Sequence, residues 1–190
     1  MHYEQIVSTL TNFERGKIGK YKHVILLVFF SITSLYLFFF KNNIPISTNL
    51  TIDLFLGLFS GLVLYYLMIF ISKAIKLLYQ TNSNSKAFDF NKKNTIINIL
   101  FIISYVFLEE LLFRSMLYSY LLEEMSIWSA IIITSFAYSF LHFNFNKFIQ
   151  LFIMGILLSL LVFFTNGLLA SILTHTVNNL LVFRFITTKK

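Results

Sequence analysis

The fold of this chain is decided by the stretch FIISYVFLEELLFRSMLYSY, residues 101–120. The stretch is mostly apolar, and its length matches the ~20 residues that a helix needs to cross ~30 Å of hydrocarbon. Glu109, Glu110 and Arg114 nevertheless stand inside it. Because a charged side chain at the centre of a bilayer costs at least ~2.5–3.5 kcal/mol on insertion scales, three of them in little more than one helical turn require a reason.

The composition of the whole chain is that of a membrane protein. Of its 190 residues, 57% are hydrophobic and 12% are charged, and the mean hydropathy is +0.78, whereas soluble domains carry roughly 25% charged residues. Six apolar runs therefore predict an all-α polytopic membrane protein with about six transmembrane helices. These runs are Val24–Phe40, Ile52–Ser72, about Ile96–Tyr120, about Ile127–His142, about Phe148–Phe164 and Leu168–Ile186.

The basic residues predict the orientation and the domain organisation. Short cytoplasmic segments retain Lys and Arg, and with the N-terminus inside, Lys41 is the only loop residue of the 15 Lys and Arg that falls outside. We therefore expect a multi-pass protein of a bacterial cell membrane with both termini cytoplasmic, the bacterial source being inferred from abundant Phe, Ile, Asn and Lys. The polar stretch Gln80–Asn94 separates residues 1–94, with two transmembrane helices and a cytoplasmic loop, from a four-helix core at 95–190.

Charge and cysteine content exclude several classes of function. The formal net charge is +7, but no basic face is interleaved with stacking aromatic residues, so we expect the lipid bilayer as a partner and no nucleic acid. The chain contains no cysteine, which removes disulfides, thiolate nucleophiles and thiolate metal ligands from consideration.

Helix geometry distinguishes the two adjacent carboxylates. Arg114 follows Glu110 by four residues and lies on the same helix face, whereas Glu109 is turned ~100° away. We expect a Glu110–Arg114 ion pair, with Glu109 pointing into the helix bundle as a general base. The alternative is an ion pair that only locks helices together. The other acidic residues fall in loops or at helix ends that water can reach: Glu4, Glu14, Asp53, Asp89, Glu123 and Glu124.

Two further helices carry a histidine with a polar or aromatic companion one turn away. Tyr138 precedes His142 by four residues, and Asn179 follows His175 by four. Either histidine alone is typical of a hydrogen-bonded packing residue. Together with Glu109 they supply what amide hydrolysis requires, a base for water and donors for the oxyanion. Two His and a Glu also suit zinc, but the helical H-E-x-x-H signature is absent, so no cofactor is favoured and zinc stays an alternative.

At these positions the chain resembles the CPBP intramembrane proteases, which include CAAX prenyl proteases and bacteriocin-processing or immunity proteins. The sequence EELLFR at 109–114 looks like the family's EExxxR motif, YSFLH at 138–142 looks like FxxxH with Tyr for Phe, and HTVNN at 175–179 looks like HxxxN. The motifs follow the family's order over residues 95–186. Three of the matching positions would have supporting roles: Glu110, Arg114 and Tyr138.

The resemblance implies an intramembrane endopeptidase that cleaves a membrane-associated protein or peptide. Glu109 would activate the attacking water, His142 would position water or substrate, and His175 with Asn179 would stabilise the oxyanion. Some accounts of the family invoke a metal and others a glutamic mechanism; we favour the latter because no extra ligand is evident. Prenylated CAAX substrates require a host that makes them.

Two other functions stay open at this point, and so does association with another membrane protein. A catalytically silent member of the same scaffold could act in bacteriocin immunity or as a regulatory binding protein. A proton-coupled transporter could use Glu109 as a relay, although no internal repeat supports it.

The predicted depths of the site residues do not agree. At 1.5 Å per residue, Glu109 lies ~20 Å and His175 ~16 Å from the inner helix ends, whereas His142 lies at the inner end. Either the fourth helix continues through residues 143–146, or the third run begins along the membrane interface and crosses from near Ile102. Both solutions place the site toward the cytoplasm.

Overall fold

The computed structural model describes residues 28, 31, 45–79, 95–142 and 147–188. The regular structure in these ranges is entirely helical, which confirms the all-α prediction. The predicted loop Gln80–Asn94 lies outside the described residues, as does nearly all of the predicted helix Val24–Phe40. The elements are α1 (Leu50–Tyr79), α2 (Thr95–Glu110), a π-helix (Leu111–Tyr118), α3 (Ser119–Glu124), α4 (Ile127–Leu141), α5 (Phe148–Thr165) and α6 (Leu169–Thr188).

Three helical segments in the described ranges are long and apolar enough to cross a membrane: Leu50–Ile75, Thr95–Glu124 and Phe148–Thr165. Helix α4 is apolar but has only 15 residues. Helix α6 has 20 residues but is less apolar because it carries Thr174, His175, Asn178 and Asn179. These segments make the chain a membrane protein, while the total of six spans and the four-helix core remain predictions.

Helices α1 and α6 approach closely because two glycines of α1, Gly57 and Gly61, face side chains and backbone of α6. A Cβ on Gly57 would lie 2.7 Å from the Cβ of Leu173, and a Cβ on Gly61 would lie 2.7 Å from the Cβ of Val177. Between them, the hydroxyl oxygens of Ser60 and Thr174 are 2.6 Å apart. Small residues four apart allow helices in lipid to pack backbone against backbone.

The segment before α1 is tied to the turn between α5 and α6. The backbone N–H groups of Leu168 and Leu169 donate to the carbonyls of Pro45 and Ile46 at 3.1 and 2.7 Å. Next to this connection, Asp53 is only 1% exposed and accepts a hydrogen bond from the Ser47 hydroxyl at 2.5 Å. The prediction that water reaches Asp53 is therefore wrong, because the turn covers the first turn of α1.

The helix that carries the paired carboxylates is surrounded on all sides at the depth of the site. Residues 112–115 are all buried, as are Glu109 and Glu110, and consecutive residues of a helix point in different directions. The sequence predicts one continuous α-helix here, whereas residues 111–118 form a π-helix. π-Helical turns are rare in proteins, and those that do occur are often found at functional sites.

Two apolar clusters lie on either side of the charged residues along this helix. One contains Ile102, Val106 and Phe183. The other consists of Tyr118, Leu121, Ala130, Ile131, Val162 and Leu168. The carboxylates thus lie in a polar layer between two apolar layers, where water is scarce and side-chain partners must satisfy the charges.

Candidate active site

Glu110 is the centre of a buried ion pair. One of its carboxylate oxygens, Oε1, accepts a hydrogen bond from Nη1 of Arg114 at 3.1 Å, and both side chains are 0% exposed. The second guanidinium nitrogen, Nη2, donates to the Gly155 carbonyl of α5 at 3.4 Å. The predicted Glu110–Arg114 ion pair is therefore present in the structure, and it connects the π-helix to α5.

The same oxygen of Glu110 also holds a histidine from α6. Nδ1 of His175 lies 2.8 Å from Glu110 Oε1. Because a carboxylate oxygen accepts, Nδ1 carries the hydrogen and donates it. The orientation of the His175 ring is thus fixed by the ion pair, which joins the EExxxR and HxxxN motifs.

Glu109 points away from this ion pair, toward the other ring nitrogens of both histidines. Its Oε1 lies 3.3 Å from His142 Nε2, and its Oε2 lies 3.6 Å from His175 Nε2. The carboxylate is buried, and neither oxygen accepts a hydrogen bond of ordinary geometry within the described part of the chain. Tyr105, one helical turn earlier, interacts with the carboxylate electrostatically, and its hydroxyl is a hydrogen-bond partner outside that ordinary geometry.

Nδ1 of His142 also takes part in a hydrogen bond. It lies 2.8 Å from the backbone carbonyl of Tyr138, four residues earlier. A carbonyl only accepts, so this nitrogen carries the hydrogen, and in a neutral imidazole Nε2 is then a lone-pair acceptor. His142 is also the most accessible member of the cluster, with 22% of its side chain exposed.

The meeting of Glu109 and His142 follows from the register of a helical hairpin. Glu109 stands 16 residues before Met125 and His142 stands 16 residues after Ser126, the two residues of the turn between α3 and α4. Residues equally far from the turn of an αα-hairpin lie at the same height. The predicted mismatch came from counting from inner ends of unequal helices. Helix α4 ends at Leu141 with His142 as its C-cap, so the site does not need α4 to continue.

Tyr138 packs in the middle of the cluster and is 0% exposed. The Arg114 guanidinium carbon lies 4.7 Å from its ring centroid, and the Phe113 ring meets it edge-on at 5.1 Å. Its ring centroid is 4.5 Å from that of His142. Its hydroxyl reaches His175 Nε2 at 3.4 Å. The FxxxH pattern has only an aromatic ring at this position, whereas the Tyr138 hydroxyl also reaches the site.

Asn179 is not brought into direct contact with the charged residues. Its Oδ1 accepts from the side-chain amide of Asn178 at 3.3 Å. Asn178, which the sequence did not single out, is 5% exposed, and its own Oδ1 has no hydrogen-bond partner among the described residues. The Asn-Asn pair continues the polar face of α6 one turn beyond His175.

A metal centre has no geometric support in this region. Among the described residues, no group of three His, Asp or Glu side chains is arranged to hold a metal ion. That the reaction needs no metal ion stays a prediction, because the arrangement of side chains does not test the requirements of catalysis.

Comparison with known proteins places this arrangement in a family. Residues 91–181 match the family model of the type II CAAX prenyl endopeptidases, described as Rce1-like, and this range includes all seven predicted site residues. No match was found among curated proteins or among solved structures. The matched region, just under half of the chain, contains the three ordered motifs, whose side chains meet in the structure except for Asn179, and the match supports the CPBP family of CAAX-type proteases.

Proposed function

We propose that the chain is an intramembrane endopeptidase in which Glu109 activates the attacking water without a metal ion. One observation carries the proposal: the buried Glu109 carboxylate has two oxygens without an ordinary hydrogen bond, and they lie 3.3 and 3.6 Å from the Nε2 atoms of two histidines. A carboxylate that served only packing would have at least one oxygen satisfied, as Oε1 of Glu110 and Oδ2 of Asp53 are.

The two carboxylate oxygens of Glu109 and the two nearby Nε2 atoms form a set that accepts hydrogen bonds. With both Nδ1 atoms donating elsewhere, neutral imidazoles present lone pairs beside the carboxylate oxygens. A water molecule fits such a set because it can donate one hydrogen to Glu109 and the other to an imidazole. This arrangement leaves a lone pair of the water oxygen available for attack on a carbonyl carbon.

The reaction then follows a general-base path. Glu109 takes a proton from the water while the water oxygen bonds to the scissile carbonyl carbon. The carbonyl oxygen then becomes an oxyanion. The carbon–nitrogen bond breaks as this tetrahedral species collapses, and protonated Glu109 returns the proton to the leaving amine. His142 positions the water, and His175 and Asn179 border the oxyanion.

Glu110 and Arg114 act as positioning residues. The guanidinium compensates one of the two buried carboxylates, and the carboxylate fixes the ring of His175 at 2.8 Å. This arrangement separates the two adjacent glutamates into a structural one and a reactive one.

The substrate class follows from the location of the site. Glu109, Glu110 and Arg114 lie within the helical segment Thr95–Glu124, which is long enough to span a membrane. The most accessible side chain of the cluster is His142, at the end of α4. We propose that both termini are cytoplasmic and that a membrane-associated protein or peptide reaches the site from that side. The family's name points to prenylated substrates, which apply here only in a host that makes them.

The test compares the membrane proteins of cells that express the wild-type chain or Glu109→Gln. New protein termini should appear with the wild type and be absent with Glu109→Gln, and a synthetic peptide spanning such a bond should be cleaved by purified wild-type protein. His142→Ala and His175→Ala should also be inactive, whereas Glu124→Gln, which changes an exposed carboxylate of the same helix, should be active. Undiminished cleavage by folded Glu109→Gln would overturn the proposal. A cellular phenotype that survives Glu109→Gln would favour the silent scaffold.

A further inference from the structure

The arrangement of hydrogens in the site leaves few donors for an oxyanion. An oxyanion is stabilised by donors, but the Nδ1 hydrogens of His142 and His175 point to the Tyr138 carbonyl and to Glu110. Neutral imidazoles therefore offer only lone pairs at Nε2, and Glu109 is an acceptor. These three side chains therefore supply a base but no donor, and the Tyr105 hydroxyl is directed at Glu109 itself. Of the residues that border the oxyanion, only Asn179 has an amide that can donate.

We propose that the hydroxyl of Tyr138 is a second donor beside the Asn179 amide, and this inference rests on the proposed protease function. The hydroxyl oxygen lies 3.4 Å from His175 Nε2, beside Glu109 Oε2, which is 3.6 Å from the same nitrogen. In the resting site the O–H donates to the Nε2 lone pair. When the carbonyl oxygen of the substrate becomes an oxyanion, the O–H turns to that oxygen, so only a hydrogen bond changes partner and no covalent bond to Tyr138 forms.

The surroundings of the ring suit this role. Tyr138 is 0% exposed, and its ring is enclosed by Phe113, His142 and the Arg114 guanidinium. A ring held on these sides keeps its hydroxyl in place before the reaction begins, and preorganised donors stabilise a developing charge without reorganisation. The family pattern has Phe at this position, so the hydroxyl distinguishes this chain from that pattern.

The substitution Tyr138→Phe removes only the hydroxyl and keeps the ring that packs on Arg114. A donor that acts on the oxyanion contributes in the transition state, so we expect kcat to fall ~100-fold with KM nearly unchanged. Tyr118→Phe is the matched control. It removes a hydroxyl from a residue that is 1% exposed and has no hydrogen-bond partner within the described ranges, and its kcat should equal that of the wild type.

The probe is the synthetic peptide whose cleavage depends on Glu109, together with the same peptide carrying a phosphinate in place of the scissile amide. The phosphinate oxygens imitate the oxyanion, so Tyr138→Phe should lose ~100-fold in phosphinate affinity but bind the uncleaved peptide as the wild type does. If the role of Tyr138 were purely structural, Tyr138→Phe would change the affinities for the phosphinate and for the uncleaved peptide by the same factor.

The outcomes distinguish this inference from the proposed function. If Glu109→Gln is inactive while Tyr138→Phe retains wild-type kcat, or raises only KM, the hydroxyl is not an oxyanion donor. Equal loss of affinity for phosphinate and peptide would also overturn the inference. If no cleavage depends on Glu109, the protease proposal fails and this inference fails with it.

Discussion

Replacing Arg114 by glutamine is expected to destabilise the protein strongly. In the wild type, the guanidinium pairs with Glu110 at 3.1 Å and both side chains are 0% exposed. The variant keeps both buried carboxylates and removes the positive charge that compensates one of them. Removing one partner of a buried ion pair costs about 3–5 kcal/mol, because the other charge stays buried without compensation.

A second variant distinguishes the effect of the lost charge on the free energy of unfolding from the effect of the changed side-chain size. Glu110→Gln combined with Arg114→Gln removes one charge of each sign, so Glu109, Glu110 and Arg114 together keep the formal charge of the wild type. This double variant should recover most of the lost free energy of unfolding but should remain inactive, since no carboxylate then holds Nδ1 of His175. Lys73→Gln, a change of an exposed lysine on α1, is the control and should alter stability by less than about 0.5 kcal/mol.

The assay is reversible unfolding in mixed micelles with increasing dodecyl sulfate, followed by circular dichroism. The free energies of the wild type, both single variants and the double variant form a thermodynamic cycle whose residual is the coupling between Glu110 and Arg114. An Arg114→Gln variant within 1 kcal/mol of the wild type would refute the reasoning. A double variant as unstable as the single one would refute it too, since the loss would then come from packing.

Three other perturbations test separate parts of the structure. Gly57→Ala places a Cβ 2.7 Å from Leu173 and should lower the free energy of unfolding by about 1–3 kcal/mol, measured in the same micelle assay; Gly167→Ala, whose nearest new contact is 3.3 Å, should cost less. Asp53→Ala removes the acceptor of the Ser47 hydroxyl and should lower stability by about 1–2 kcal/mol without changing activity per folded molecule. Dialysis against a zinc chelator should leave peptide cleavage unchanged; a loss that added zinc restores would show that the reaction needs the metal.

The contact between Glu110 and Arg114 was predictable because it depends on local spacing. The meeting of the three motifs was expected from the cost of burying charge and from the family resemblance, although the predicted depths of Glu109 and His142 disagreed. The i, i+4 relation of Glu110 and Arg114 holds in the structure, since that spacing brings side chains together on any helix. Which histidine nitrogen faces which carboxylate was not predictable. That detail depends on how α4 and α6 are rotated about their axes, and no spacing within one helix specifies the rotation of another.

Other structural features were not predicted from the sequence, each for a different physical reason. The glycines at 57 and 61 have the four-residue spacing that is typical of a close helix contact, so the sequence does contain an indication of this contact. The burial of Asp53 depends on a turn more than one hundred residues away in the chain, which local polarity cannot reveal. The π-helix leaves no compositional mark, because the apolar pattern of residues 111–118 suits α and π turns alike.

The equal arms of the hairpin between Glu109 and His142 also restrict how its length can change. One residue added to a single arm would rotate that arm by about 100° and raise it by about 1.5 Å, which would turn either the carboxylate or the imidazole away. Additions of about one helical turn to both arms would keep the pair facing and move the α3–α4 turn outward by about 5.4 Å. Relatives that live in membranes of different thickness should therefore differ here by matched changes in both arms.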